Sequence, residues 1–139
     1  MAHILVAEDE RDIRELINFM LMFAGHTVTL AANGAEAVEM AAQARPDLIL
    51  MDVRMPRMSG YEACRQIKSS DQLKDVPLVF LSAKGQDDEI QSGLDAGAVA
   101  YILKPFTPEE LLQQVADIVQ EYMAADGRAS GDADKVTPT

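Results

Sequence analysis

Five short apolar runs, separated by helix-length segments, narrow the possible folds of this chain more than any other feature. The runs are Ile4–Ala7, Val28–Ala31, Leu48–Met51, Leu78–Leu81 and Val99–Leu103. Most lack the polar alternation of a half-buried strand, so each must be covered on both faces, as strands of a parallel sheet are. The segments between them have helical period. Ile13, Leu16, Ile17 and Met20 fall on one face of the first, with Gly25 as a stop. The second opens at Asn33-Gly34 and ends before Pro46, and the third begins with the capping-box spacing of Ser59 and Glu62. The fourth covers about Gln86 to Ala96. The fifth starts Thr107-Pro108-Glu109-Glu110, with an apolar stripe of Leu111, Val115, Ile118, Val119 and Tyr122. Strand then helix, five times over, predicts an α/β protein: a (βα)5 doubly wound sandwich around a central five-stranded parallel sheet.

Composition removes several classes of function. The chain of 139 residues carries a net charge of −11, which repels phosphate backbones and anionic lipid, so no direct nucleic-acid or membrane partner is expected. A single cysteine, Cys64, forms no internal disulfide, and with only His3 and His26 beside it makes no zinc site. No apolar run approaches the roughly 20 residues of a membrane helix, and acidic residues from Glu8 onward argue against a secretory signal. A cytoplasmic location is expected. After Met123 the composition turns to Ala, Gly, Asp, Ser, Thr and Pro. The expected organisation is therefore one domain over residues 1–123 and a flexible tail over 124–139.

In an open parallel sheet, ligands bind beyond the carboxyl ends of the strands, where the strand order reverses. The first run ends in Glu8-Asp9-Glu10, the third in Asp52, the fourth in Ser82-Ala83 and the fifth in Lys104-Pro105. If the order is 2-1-3-4-5, strands one and three are neighbours, Glu8, Asp9 and Asp52 converge on one pocket, and Ser82 and Lys104 would line its far side. Carboxylates about 5 Å apart repel by roughly 3 kcal/mol per pair at an effective dielectric near 20. Such a cluster calls for a hard divalent cation, and with oxygen ligands and some coordination left to water the natural choice is Mg²⁺. A carboxylate beside a metal, a hydroxyl and a lysine is a good acceptor for a phosphoryl group. Taken singly, each residue has a plainer reading: Asp52 as a turn or cap, Glu8 and Asp9 as dipole partners of the next helix, Ser82 as a turn residue, Lys104 as a solvated charge, Tyr101 as core. The joint occurrence at four strand ends favours the site.

These residues resemble the receiver domain of bacterial two-component response regulators, particularly the stand-alone, chemotaxis-Y-like kind. The resemblance rests on Ile4-Leu5-Val6-Ala7-Glu8-Asp9-Glu10, on Leu48-Ile49-Leu50-Met51-Asp52-Val53-Arg54-Met55-Pro56 with Met58-Ser59-Gly60, on Val79-Phe80-Leu81-Ser82-Ala83, and on Tyr101-Ile102-Leu103-Lys104-Pro105-Phe106. It covers roughly residues 3–123 and implies a flavodoxin-like sheet of order 2-1-3-4-5. It further implies that Asp52 is the phosphoacceptor and takes its phosphoryl group from a sensor histidine kinase or a histidine phosphotransfer protein. Asp9, Asp52 and the backbone carbonyl of Arg54 match the Mg²⁺ ligands, and Glu8 the neighbouring acidic position. Lys104 matches the lysine that pairs with the phosphoryl oxygens, and its bond to Pro105 is typically cis in the family. Ser82 and Tyr101 match the switch pair. Their movement reshapes the face of the fourth helix, fifth strand and fifth helix.

A receiver without an output domain would act in a phosphorelay through its contacts with an unknown protein target, with phosphorylation-dependent homodimerisation through the switch face left open. Arg54 and Lys84, two residues after the acceptor and the switch hydroxyl, match the positions that tune lifetime; both are long and basic, so a long-lived aspartyl phosphate is expected. Three rivals compete. A phosphatase would want a second acid at position 54. A flavin binder would want a Ser/Thr/Gly phosphate loop where Glu8-Asp9-Glu10 stands. An unphosphorylated docking module would not need Asp52, Ser82 and Lys104 together. The expectation is thus a regulatory phosphoacceptor with no enzymatic turnover of its own.

Overall fold

A computed structural model describes residues 2–83 and 96–126. The elements run β1 (His3–Ala7), α1 (Arg11–Phe23), β2 (Thr27–Ala31), α2 (Gly34–Ala44), β3 (Leu48–Asp52), α3 (Gly60–Lys68), β4 (Leu78–Ala83), β5 (Ala100–Lys104) and α4 (Pro108–Asp126). The five strands form one parallel sheet in the order β2-β1-β3-β4-β5. The helix expected over Gln86 to Ala96 lies outside the described residues apart from Ala96, so the fifth expected helix is α4 here. It ends at Asp126, three residues beyond the composition change at Met123; residues 127–139 lie outside the described ones.

The helix starts follow the local chemistry. The Asn33 side chain accepts from the Glu36 N–H at 2.9 Å, and Ser59 Oγ accepts from the Glu62 N–H at 3.2 Å. At α4 the capping box is reciprocal: Thr107 Oγ1 accepts from the Glu110 N–H at 3.0 Å, and Glu110 Oε1 accepts from the Thr107 N–H at 2.9 Å. Pro108 takes the first helical position, where its missing N–H costs nothing. Gly25, at φ 97°, closes α1, and the His26 N–H reaches back to the Leu21 carbonyl.

Alternate strand residues face two cores. Leu5, Ala7, Ile49, Met51 and Phe80 pack with Ala37 and Ala41 of α2 and with Ala63, Cys64 and Ile67 of α3. On the other side Ile4, Val6, Leu48, Leu50, Val79, Leu81 and Ile102 pack with Ile17, Met20 and Leu21 of α1 and with Leu111, Val115 and Ile118 of α4. The central strands β1, β3 and β4 are thereby enclosed on both faces, whereas the edge strands β2 and β5, expected to be covered like the others, are only half-buried, with Leu103 38% exposed.

One sequence expectation about α1 needs correction. Leu16 does not share the buried face of Ile17 and Met20: it is 55% exposed, alongside Phe19, Met22 and Phe23. The helix carries two apolar stripes, and the sheet covers the one through Ile17, Met20 and Leu21. The second stripe faces outward at i, i+3, i+7 spacing, with a groove formed by Phe19, Met22, Phe23 and Leu30.

Candidate functional site

Strand register assembles the site. Ala7 aligns with Met51, so Glu8, one step beyond, lies beside Asp52. Asp52 aligns with Leu81, Ser82 with Leu103, and Ala83 with Lys104. The carboxyl ends of four elements therefore deliver Glu8, Asp52, Ser82 and Lys104 to one edge of the sheet. Glu8, Asp52 and Ser82 are buried, while Asp9 is exposed at the rim.

One carboxylate oxygen from each of Glu8, Asp9 and Asp52 lies within 4.8 Å of the others. Lys104 Nζ bridges two of the three, donating to Glu8 Oε1 at 3.1 Å and to Asp52 Oδ1 at 3.2 Å. Three carboxylates against one ammonium leave a formal charge of −2, the complement of a divalent cation, and all the side-chain donors are hard oxygens. The residues present fit Mg²⁺.

The electrostatics record the crowding. Burial, reinforced by the Asp52 charge, pushes the Glu8 carboxyl up to about 7, against the pull of the Glu10 N–H and Lys104. Burial raises Asp52 as well, although Lys104 opposes it. Burial alone would lower Lys104, but the Asp52 and Glu8 charges outweigh it and hold the ammonium charged. The Lys104–Pro105 bond is cis.

The loop carrying the acids is short and tied on several sides. The Glu8 N–H donates to the Ala31 carbonyl at 3.1 Å, and Glu8 Oε2 accepts from the Glu10 N–H at 3.1 Å. From α1, Arg14 Nη1 donates to the Glu8 carbonyl at 2.7 Å and to the Asp9 carbonyl at 3.4 Å. Sequence reasoning passed over Arg14. Its only signal is a guanidinium in the first turns of a helix, where the positive end of the dipole disfavours it.

Beside the acids opens a cleft of about 680 Å³, walled by Asp9, Arg54, Met55, Pro56, Ser59 and Tyr61. The Tyr61 ring meets Phe80 edge-on at 5.4 Å, and Phe80 lies 5.7 Å from Tyr101, so an aromatic row runs from the cleft under the sheet to β5. Gly60 is packed against the carbonyl of Asp52; a Cβ there would strike that oxygen and come within 3.0 Å of the Phe80 ring. Arg54 thus stands at the cleft and Tyr101 at the far end of the row, while Lys84 lies outside the described residues.

Comparison with known proteins bears on the fold and the family. The response regulator receiver domain family matches residues 4–116. Response regulator MprA of Mycobacterium ulcerans is 43% identical over 136 residues, which cover 98% of this chain but 56% of that protein. The chain thus spans about half the length of the curated relatives it matches. Among solved structures, the chemotaxis response regulator CheY4 of Vibrio cholerae superposes with a TM-score of 0.81 at 36% identity, covering 85% of this chain and 98% of that one. The receiver domain of the Pseudomonas aeruginosa sensor histidine kinase PA1611, with a magnesium ion coordinated in its active-site cleft, gives 0.79 at 36% identity, covering 88% and 98%. The fold, the order of the strands and the match over most of the chain lead to one conclusion: this chain belongs to the response regulator receiver domain family.

Proposed function

We propose that this receiver accepts a phosphoryl group on Asp52 from a phosphohistidine of a sensor histidine kinase or histidine phosphotransfer protein, and that the modified domain is read by protein partners. The observation that carries this reading is the Lys104 ammonium bridging Glu8 and Asp52 inside a cluster of three carboxylates. In the transfer, an Asp52 oxygen forms a bond to phosphorus, the bond from phosphorus to the imidazole nitrogen breaks, and the nitrogen leaves with its electron pair. Lys104, already engaged with Asp52 Oδ1, follows the charge onto the phosphoryl oxygens, and Ser82 donates its hydroxyl to one of them. Glu8, Asp9, Asp52 and the carbonyl of Arg54 would hold Mg²⁺, which when bound neutralises charge on the transferring group.

The readout belongs to the face formed by the fourth expected helix, which lies outside the described residues, with β5 and α4. Tyr101 leans on Phe80 with its ring partly buried, a position from which a rotamer change alters the outer surface of β5. On the opposite flank, the outward stripe of Leu16, Phe19, Met22 and Phe23 stands on the helix that begins at the acid loop. A protein donor that must bring a phosphohistidine to Asp52 has an apolar seat there. Arg54, at the mouth of the cleft, crowds the path of an attacking water and, with Lys84, lengthens the life of the aspartyl phosphate.

Incubation with Mg²⁺ and acetyl phosphate, read by intact mass, tests the reading. Wild type should gain one phosphoryl group, Asp52→Asn none, and omission of Mg²⁺ should abolish the gain. In the same assay the phosphorylated Arg54→Asn variant should decay faster than wild type. A folded wild type that gains no mass with Mg²⁺ present would leave the docking module as the better reading.

A further inference from the structure

The Arg14 guanidinium reaches from α1 into the acid loop. A single terminal nitrogen, Nη1, donates to the carbonyls of both Glu8 and Asp9. Those two residues supply two of the three clustered carboxylates. Between the end of β1 and the start of α1 lie only Glu8, Asp9 and Glu10, so the direction of both acidic side chains depends on the path of three residues. The Glu8 N–H is held by Ala31, and its side chain by Glu10 and Lys104. Asp9, exposed at the rim, has its carbonyl 3.4 Å from Arg14 Nη1, against 2.7 Å for the carbonyl of Glu8. Among the described residues Arg14 forms no ion pair with a carboxylate, and its guanidinium contacts there are with these two carbonyls.

We infer that Arg14 is a positioning residue of the acidic site: by fixing the carbonyls of Glu8 and Asp9 it sets the mutual geometry of their carboxylates with Asp52, and through them the affinity for a divalent cation. This inference rests on the proposed Mg²⁺-dependent reading of the site. The physical basis is that groups behind a ligand, by fixing its orientation, alter metal affinity about tenfold or more without touching the metal. Because both bonds leave from one nitrogen, an ammonium on a chain of similar length can replace them in part; a methyl cannot.

The test is Mg²⁺ titration by calorimetry on the whole chain, for wild type, Arg14→Ala, Arg14→Lys and Lys68→Met. Lys68 Nζ makes a comparable clamp far from the site, donating to the carbonyls of Val76 and Lys74, and its loss controls for general destabilisation. Arg14→Ala should weaken Mg²⁺ binding roughly tenfold, Arg14→Lys should recover part of that loss, and Lys68→Met should bind as wild type does while melting lower. Unchanged affinity in Arg14→Ala overturns the inference and leaves the proposed function standing. So does a loss shared equally by Lys68→Met, or one that Arg14→Lys fails to mend. A folded wild type that binds no Mg²⁺ overturns both.

Discussion

At Glu8, burial and a neighbouring charge act in the same direction. The carboxyl titrates near 7 in the folded, cation-free protein but near 4.5 when exposed. Between those values the unfolded chain has released a proton that the folded chain still holds, so this group lowers stability progressively as pH rises from about 4.5, and the loss is complete above about 7. The raised Asp52 contributes with the same sign. A divalent cation prefers the ionised carboxylates and reverses the effect. The melting temperature should therefore rise more on adding Mg²⁺ at pH 8 than at pH 5.5, by roughly 5 °C more for a chain of this size. Scanning calorimetry with and without Mg²⁺ at the two pH values checks this, and Glu8→Gln should flatten the pH dependence of the cation-free protein. An equal Mg²⁺ increment at both values would exclude proton–metal competition at Glu8.

At the scale of the element, α3 is pressed against the strand that bears the acceptor. Its first residue, Gly60, has its N–H on the Val53 carbonyl at 2.9 Å and its Cα under the Asp52 carbonyl. Helix propensity alone would favour alanine there by about 1 kcal/mol. The close approach decides otherwise, because the atom in the way is backbone and has no rotamer to change. Gly60→Ala should destabilise the domain by about 2 kcal/mol or more in urea unfolding. It should also slow labelling of Asp52, since either α3 or the end of β3 must move. A variant as stable as wild type would mean that the contact yields easily.

Across the whole molecule, two surfaces flank one site. The sheet's carboxyl edge brings together residues as far apart in sequence as Glu8 and Lys104, and α1 runs from that edge with its outward stripe uncovered. Four large apolar side chains at 55–83% exposure form a patch of the kind that marks an interaction surface. Phe19→Glu should leave labelling by acetyl phosphate unchanged, because that donor needs only the pocket. Phosphotransfer from a sensor histidine kinase active on wild type should fall about tenfold or more, the range of a truncated interface anchor. Stopped-time phosphotransfer with both donors separates the two effects, and an equal loss with both would place the residue in the fold instead.

The sequence by itself determined what depends on neighbouring residues. Runs such as Leu48–Met51, apolar at every position, required a sheet covered on both faces, and Asn33, Ser59 and Thr107 marked helix starts because their caps close over three residues. The acids and the lysine were legible as strand-end residues for the same reason. Tertiary structure alone decided which of two apolar stripes on α1 is buried, because both have helical period and only the packing against the sheet chooses Ile17 over Leu16. It alone decided that Lys104 would bridge Glu8 and Asp52, a contact set by strand register across 96 residues. It also gave Arg14 its carbonyl partners. Periodicity and capping are short-range and can be read along the chain; charge pairing and burial are properties of distance in space, which only the closed sheet defines.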